Sequence, residues 1–325
     1  IKPFVGVCAD GPSDAAVLKP LETPGTRGLA LGNGFNPEYG KLDPYAMAVS
    51  AIDEAVRNVV AVGADPNCIA ILDNFCWGNP ALPDRMGGLV RACKGCYDGA
   101  RQYGTPFISG KDSLNNEYLD TVTGHQVAIP PSLLISSLGI VPDSGHCVTM
   151  DLKAAGHAVY LLGLTRRELG GSLLAQLLAS DAGVPPAAAA DGPAIALALH
   201  RGIVAGLVAA CHDLSEGGLL VAAAEMALGG RLGLHLDIAC APTDAAEGLT
   251  ASELLLAESN GRYLVEVAPE HAAAFAALFA GLPCASVGTV VEGSTVSLAY
   301  GAEAAPVLTL TLSAIASAWR GHIHA

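Results

Sequence analysis

The chain is poor in charge and in aromatic rings. Asp, Glu, Lys and Arg make up 15% of its 325 residues, and Phe, Trp and Tyr only 5%. With 51% hydrophobic residues, this composition excludes a disordered chain, which needs the opposite balance. The length suffices for two domains. Bases are scarcer than acids, 17 against 31, for a net charge of −14. The basic footprint of a nucleic-acid binder is therefore missing. Bulk attraction cannot hold a phosphorylated ligand either, so helix N-termini, a few Lys or Arg, or a divalent cation would have to do so. No apolar run reaches the ~18 residues of a membrane span, and no signal peptide is visible. The chain opens Ile1-Lys2-Pro3 without an initiator Met, as expected of a piece of a longer polypeptide. Its nine cysteines are scattered, and Cys93-Lys94-Gly95-Cys96 has no second C-x-x-C to complete a zinc ribbon. These cysteines read as structural, and the compartment as reducing and cytoplasmic.

Against this sparse background, carboxylates gather in a few places. Asp43 is a good N-cap, Pro44 fits the first helical turn, and a helix is predicted over Pro44–Val62. Glu54 and Asn58, four residues apart, share one face of it among Ala51, Ala55 and Ala61. A carboxylate and an amide on a small apolar face offer oxygen ligands to a cation such as Mg²⁺. A surface Glu beside a capping or core Asn is the ordinary alternative. Three further acidic segments are read as loops at element ends: Gly11-Pro12-Ser13-Asp14, Gly110-Lys111-Asp112-Ser113 and His212-Asp213-Leu214-Ser215-Glu216. Unpaired backbone N–H groups at such ends can cradle phosphate, and carboxylates beside phosphate imply a bridging divalent ion. Taken singly, Asp14 and Asp213 also fit turn or cap positions. His212 reads as an orienting or buried hydrogen-bonded residue, not as a general base.

The remaining elements follow from periodicity and punctuation. A strand from Leu29 enters a Gly/Asn/Pro loop ending at Gly40. Strands are predicted over Asn67–Leu72, Pro106–Ser109 and Ser132–Val141, and a helix over Leu89–Tyr103. Pro142-Asp143-Ser144-Gly145 is a turn cluster that divides the chain into units 1–144 and 145–325. In the second unit, strands are expected at His157–Gly163, Arg262–Val267 and Ala285–Val291. Helices are expected after Gly170-Gly171-Ser172, over Ala194–Ala210, and up to about Leu228. The Gly-Gly-Ser turn is a weak candidate anion site. The tail His322-Ile323-His324 reads as frayed.

In order along the chain, GPSDAAVLKP, GNGFNPEYGKLDPY, EAVRNVVAVGADP, GKDSLNNE, ELGGS, HDLSEGGL and LLAESNGRYLVEV resemble the phosphoribosylformylglycinamidine synthase family. The likeness runs nearly end to end and is to the second half of the synthase domain. It implies an α/β (α+β) fold: a PurM-like N-terminal domain forming half of a pseudo-dimeric barrel, then a PurM-like C-terminal α/β sandwich domain. It also implies ATP-dependent amidation of formylglycinamide ribonucleotide with glutamine-derived ammonia. ATP or ADP and Mg²⁺ are the implied cofactors. The implied partners are the missing first half, a glutaminase and a small PurS-like component, and a fragment is expected to pair with itself through an exposed sheet edge.

Residue by residue, the resemblance makes Asp14, Glu54, Asn58 and Asp213 the Mg²⁺ ligands, and Ser13 and Ser215 nucleotide contacts, of an auxiliary nucleotide site. Gly110 would touch ATP and Ser113 the substrate at a catalytic site. Lys111 stands where relatives carry a metal-binding Asn, so Asp112 would supply the oxygen or Lys111 would pair with phosphate. Asn33 lies near an ATP-contacting position. Glu258-Ser259-Asn260 echoes a substrate-contacting triplet of the other half, to which the catalytic His also belongs. Other ATP-using enzymes of the superfamily remain alternatives: aminoimidazole ribonucleotide synthetase, thiamine-monophosphate kinase, selenophosphate synthetase or a hydrogenase maturation factor. So does a non-catalytic module that only holds nucleotide.

Overall fold

The computed structural model describes residues 1–180, 182–244, 248–301 and 305–321. The tail 322–324 lies outside these. The first part runs β1 (Phe4–Val5), β2 (Gly11–Pro12), β3 (Ala16–Leu18), β4 (Gly28–Phe35), α1 (Pro37–Leu42), α2 (Pro44–Ala61), β5 (Ile69–Cys76), α3 (Pro83–Tyr103), β6 (Phe107–Ser113), β7 (Glu117–Leu119), β8 (Gln126–Ala128) and β9 (Ser132–Val141). The second part runs β10 (Ala158–Leu162), α4 (Leu173–Leu177), α5 (Gly192–Val204), β11 (Ala210–Asp213), α6 (Gly218–Gly230), β12 (Gly233–Asp237), α7 (Ala251–Leu256), β13 (Tyr263–Val267), α8 (Ala272–Leu278), β14 (Cys284–Val291), β15 (Thr295–Ala299), β16 (Leu308–Thr311) and α9 (Leu312–Gly321).

A five-stranded sheet in the order β3-β4-β9-β5-β6 carries the first part, and a seven-stranded sheet in the order β11-β13-β10-β14-β12-β15-β16 the second. Period-2 alternation sets the faces. In β9, Leu133, Ile135, Ser137, Gly139 and Val141 are buried beneath the helices, while Leu134, Ser136, Leu138 and Ile140 are only half-buried on the other side. In β10, Val159 and Leu161 face one core and Tyr160 and Leu162 another. The α/β expectation therefore holds. Among the described residues, no helix is long and apolar enough to cross a membrane.

Helix α2 sits at the centre. Asp43 caps it, accepting from the Tyr45 N–H at 2.9 Å, with Pro44 in the first turn as expected. Fifteen of its 18 residues are buried. An amphipathic surface helix shows one apolar stripe; a helix covered on all sides must be apolar or small almost all round. Its Ala and Val side chains belong to one core that continues from Ile71 and Ile135 of the first sheet to Tyr263 and Val265 of the second. Small residues bring α2 close to β4: a Cβ at Gly34 would collide with the Ala51 carbonyl, and one at Gly32 would press on Asn58 and Val59 at 3.0 and 3.1 Å.

Several expected boundaries move. Helix α3 begins six residues before Leu89, carried through Gly87-Gly88 from a Pro at its first turn, and ends as expected at left-handed Gly104. The expected helix Ala194–Ala210 stops at Val204, because Gly206 turns left-handed (φ 71°), and Ala210 opens strand β11. His212 and Asp213 therefore belong to a buried strand end, not to a loop. Likewise Gly110, Lys111, Asp112 and Ser113 lie inside edge strand β6, paired in parallel with Asp73–Cys76 of β5. Elements α1, β7, β8, β12, α7, α8, β15, β16 and α9 have no counterpart in the expected elements.

Two ends of the chain meet at Asp10. Its carboxylate accepts from Arg231 at 2.6 Å and from Arg320 of α9 at 2.5 Å. Partial burial opposes its ionisation, but the two guanidinium groups outweigh that and lower its pKa. A lowered folded-state pKa contributes stability above the unfolded value, and that stability is lost as pH falls through the folded value. D10N should therefore be less stable than the parent at neutral pH. Urea midpoints should converge as pH falls below about 4, the unfolded Asp value. In the same assay at pH 7, G34A should lose about 2 kcal/mol through overpacking against α2. G87A, whose Cβ meets nothing within 4 Å, should gain up to about 1 kcal/mol.

Candidate functional site

A cleft of about 370 Å³ opens between α2, the turn before β3, and the end of β11. It is lined by Ser13, Asp14, Asn33, Glu54, Asn58, His212, Asp213, Ser215, Glu216 and Glu225, with Leu173 and Val221 as apolar wall. All six residues assigned to the auxiliary nucleotide site are among them. They come from three segments separated by tens to hundreds of residues in sequence.

Each is held by a specific contact. Glu54 accepts from the Phe35 N–H at 3.1 Å and from Asn36 Nδ2 at 2.7 Å, which turns its carboxylate toward the end of β4. Asn58 donates Nδ2 to the Asn33 carbonyl at 2.7 Å, which leaves its amide oxygen as the acceptor at the cleft. Asp14 Oδ1 accepts from the Asp213 N–H and contacts His212 Nδ1, both at 2.8 Å. His212 Nε2 meets Glu225 at 3.0 Å, so the imidazole is clamped between two carboxylates. Ser215 donates to Asp213 Oδ2 at 2.6 Å, and Ser13 to the Ala15 carbonyl at 2.9 Å. His212 thus orients Asp14, as its sequence context implied.

The electrostatics are those of a site short of positive charge. Burial, then the Glu216 and Asp213 carboxylates, raises the pKa of Glu54 well above the usual value. Glu216 is exposed at the cleft, yet the protein atoms crowding its carboxyl desolvate it and raise its pKa, helped by Glu258 and Asp213. Burial opposes charge on His212, yet Asp14 and Glu225 on its two nitrogens raise its pKa well above the ordinary imidazole value. Ligand atoms of Asp14, His212 and Asp213 lie within 4.8 Å of one another. Asp14 Oδ2 is buried without a hydrogen-bond partner. A buried orphan oxygen among convergent carboxylates fits a hard cation, and the oxygen donors of Asp14, Glu54, Asn58 and Asp213 suit Mg²⁺. His212, with both nitrogens engaged, supports this set without being free to ligate.

Other candidates lie elsewhere. Gly110, Lys111, Asp112 and Ser113 do not line the cleft. Gly110 to Asp112 are exposed and Ser113 is half-buried, with Lys111 Nζ donating to Ser113 Oγ at 2.6 Å. Gly110 has a local packing reason as well, since a Cβ there would strike the Asp73 carboxylate. The anion site suspected after Gly170-Gly171 is already filled by the protein. Ser172 caps α4, and Glu258 Oε1 accepts from the N–H groups of Leu173 and Gly217, both at 2.8 Å. Glu258, Ser259 and Asn260 are buried. Glu258 Oε2 also takes the Tyr39 hydroxyl at 2.5 Å, and Asn260 Nδ2 donates to Ser50 and Ala187 at 2.9 Å. Glu258 and Asn260 thus fasten the two parts of the chain together. Cys93 is exposed and Cys96 buried on α3. Two site residues escaped the sequence reading, Asp53 and Arg57. On an apolar helix they look like an i,i+4 surface pair, yet Arg57 reaches Asp213 Oδ2 at 3.2 Å.

The family model for AIR synthase related protein, N-terminal domain, matches residues 12–141, and that for the C-terminal domain matches residues 154–301. The chain is 38% identical over 327 residues to the phosphoribosylformylglycinamidine synthase subunit PurL of Deinococcus radiodurans, covering 96% of this chain and 41% of the relative. Among solved structures, T. maritima PurL complexed with FGAR superposes with a TM-score of 0.75 at 20% identity, covering 97% of this chain and 49% of that one. T. maritima PurL complexed with ADP gives 0.72 at 20% identity, covering 97% and 47%. PurLQS from Thermotoga maritima gives 0.74 at 19% identity, covering 97% and 47%. The chain thus spans less than half the length of these PurL proteins, and its fold is that of the PurL structures.

Proposed function

We propose a function from one premise: this chain belongs to the AIR synthase related family. Its role is that of the second half of the synthase part of phosphoribosylformylglycinamidine synthase. In that enzyme the amide oxygen of formylglycinamide ribonucleotide takes the γ-phosphoryl group of ATP, releasing ADP, and ammonia then displaces phosphate to give formylglycinamidine ribonucleotide. Such chemistry demands in-line positioning of the amide oxygen and phosphorus, charge neutralisation on the transferring group, and shelter from water.

In this reading the cleft holds ADP or ATP. Asp14, Glu54, Asn58 and Asp213 would hold a magnesium ion, which would supply positive charge against the nucleotide phosphates. Ser13 and Ser215 offer hydroxyls to the nucleotide, and Asn33 fixes Asn58. One observation carries the proposal: carboxylates from three distant segments converge on a cleft where Asp14 Oδ2 is buried without a partner. The same geometry favours a holding site over a reacting one. His212, the imidazole at the cleft, has both nitrogens occupied, so it is not free to act as a base.

Catalysis belongs to a second, shared site. This chain contributes Gly110 toward ATP, Lys111 toward phosphate, Asp112 toward the metal and Ser113 toward the substrate, all on the solvent-facing edge strand β6. The first half of the enzyme supplies the catalytic His and the rest of that site. A glutaminase delivers ammonia in the cytoplasm, and a small PurS-like component joins the assembly. Without that half, the open edge of the five-stranded sheet pairs with a second copy.

Mass spectrometry of the acid-soluble fraction should find ADP co-purified with the chain, and D14N should weaken ADP–Mg²⁺ binding by at least about tenfold in calorimetry. An ADP-release assay with formylglycinamide ribonucleotide and ammonium should give background rates for the chain alone and turnover after the first half is added. Robust turnover by the chain alone would overturn the division into a holding and a shared site.

A further inference from the structure

Behind the cleft lies a buried cation shared between two carboxylates. Asp53 and Arg57 lie one turn apart on α2, with side chains 1% and 3% exposed. Arg57 Nη1 makes a short contact with Asp53 Oδ1. It also places Nε 3.3 Å and Nη2 3.2 Å from Asp213 Oδ2, and Nη2 3.3 Å from the Leu214 carbonyl and 3.1 Å from Ser215 Oγ. Asp53 is itself anchored. Its Oδ1 accepts from the Gly261 N–H at 2.9 Å, and its Oδ2 accepts from the Tyr103 hydroxyl. The guanidinium is therefore shared between a fixed carboxylate on its own helix, through Nη1, and Asp213 Oδ2, through Nε and Nη2. Asp213 Oδ2 carries Arg57 and Ser215, while Oδ1 has no hydrogen bond among the described residues.

Asp213 has one charge to give. A guanidinium drawn fully onto it would form a strong charge-assisted pair and remove it as a ligand for a divalent ion. We propose that Asp53 is a positioning residue that sets the cation affinity of the cleft: by retaining Arg57, it keeps Asp213 available for ligation. This rests on the reading of the cleft as a divalent-cation site. It assigns to a buried ion pair a role beyond stability, where such pairs often contribute little.

The signs of two substitutions separate this role from a structural one. D53N keeps the shape, with its amide oxygen still accepting from the Gly261 N–H and its Nδ2 donating to the Tyr103 hydroxyl oxygen, but with the charge gone it releases Arg57 toward Asp213. R57Q removes the competing charge. Mn²⁺ binding to the whole chain, read from the loss of the free-ion electron paramagnetic resonance signal with ADP present, should weaken roughly tenfold in D53N, about 1.4 kcal/mol. It should tighten in R57Q. D53E, which restores the carboxylate, should return toward the parent value. If these residues only brace the junction, D53N and R57Q will weaken binding together, in step with their melting temperatures. That result, or unchanged Mn²⁺ binding in D53N, overturns the proposal. Should R57Q fail to fold, the D53N and D53E pair decides it. Failure of the parent chain itself to bind Mn²⁺ sinks the cation-site reading and this inference with it. Binding by the parent with no D53N effect sinks the inference alone.

Discussion

Like charges crowded around one cleft govern this molecule. Asp14, Glu54, Asp213, Glu216 and Glu225 border one cleft, and their mutual repulsion in a poorly solvated setting costs free energy that only positive charge can offset. The protein supplies some of it internally, through His212 and Arg57. Glu54 remains pushed strongly toward its neutral form and Asp14 keeps an orphan oxygen, so the internal supply falls short. A divalent ion with a polyphosphate is the kind of ligand that completes such a charge set.

Helix α2 makes this arrangement possible. It is packed on all sides, so its position is fixed by apolar contacts that do not depend on the polar groups it carries. Glycines on β4 bring it close enough for the Phe35 backbone to orient Glu54 and the Asn33 carbonyl to orient Asn58. The second sheet delivers Asp213 and Ser215 from the end of β11. Asp53 and Arg57, the Glu258 network and Asn260 then tie the two parts across the same junction. The cleft is thus a product of domain packing, and neither sheet contains it alone. The opposite, half-exposed face of the five-stranded sheet and the edge strand β6 fit a chain that spans less than half of its relatives.

Much of this was legible in the residues. The Asp43 cap with Pro44 announced α2, the alternation of Ser132–Val141 announced β9, and Glu54 with Asn58 could be placed on one face by spacing alone. Tertiary context hid the rest. His212 and Asp213 read as a loop because polar residues mark turns, but here a strand end is paid in hydrogen bonds to Asp14. Gly87-Gly88 looked like an interruption, yet α3 runs through it from Pro83. Gly110 to Ser113 looked like a phosphate loop and is a strand. Gly171-Ser172 looked open to an anion, but Glu258, eighty-odd residues away, occupies it. Asp53 and Arg57 were overlooked because a helical i,i+4 ion pair is ordinarily solvent-exposed. Short strands such as β15 and β16 carry too few residues for their period to stand out.

The central claim is that Asp14, Glu54, Asn58 and Asp213 surround one divalent ion beside a nucleotide. Crystals grown with ADP and Mn²⁺, measured at the manganese absorption edge, test it most directly. The anticipated result is an anomalous peak in the cleft within coordination distance of Asp14 Oδ2, with the ADP phosphates against it. Ordered ADP on another surface, or a cleft holding only water at saturating Mn²⁺, would contradict it.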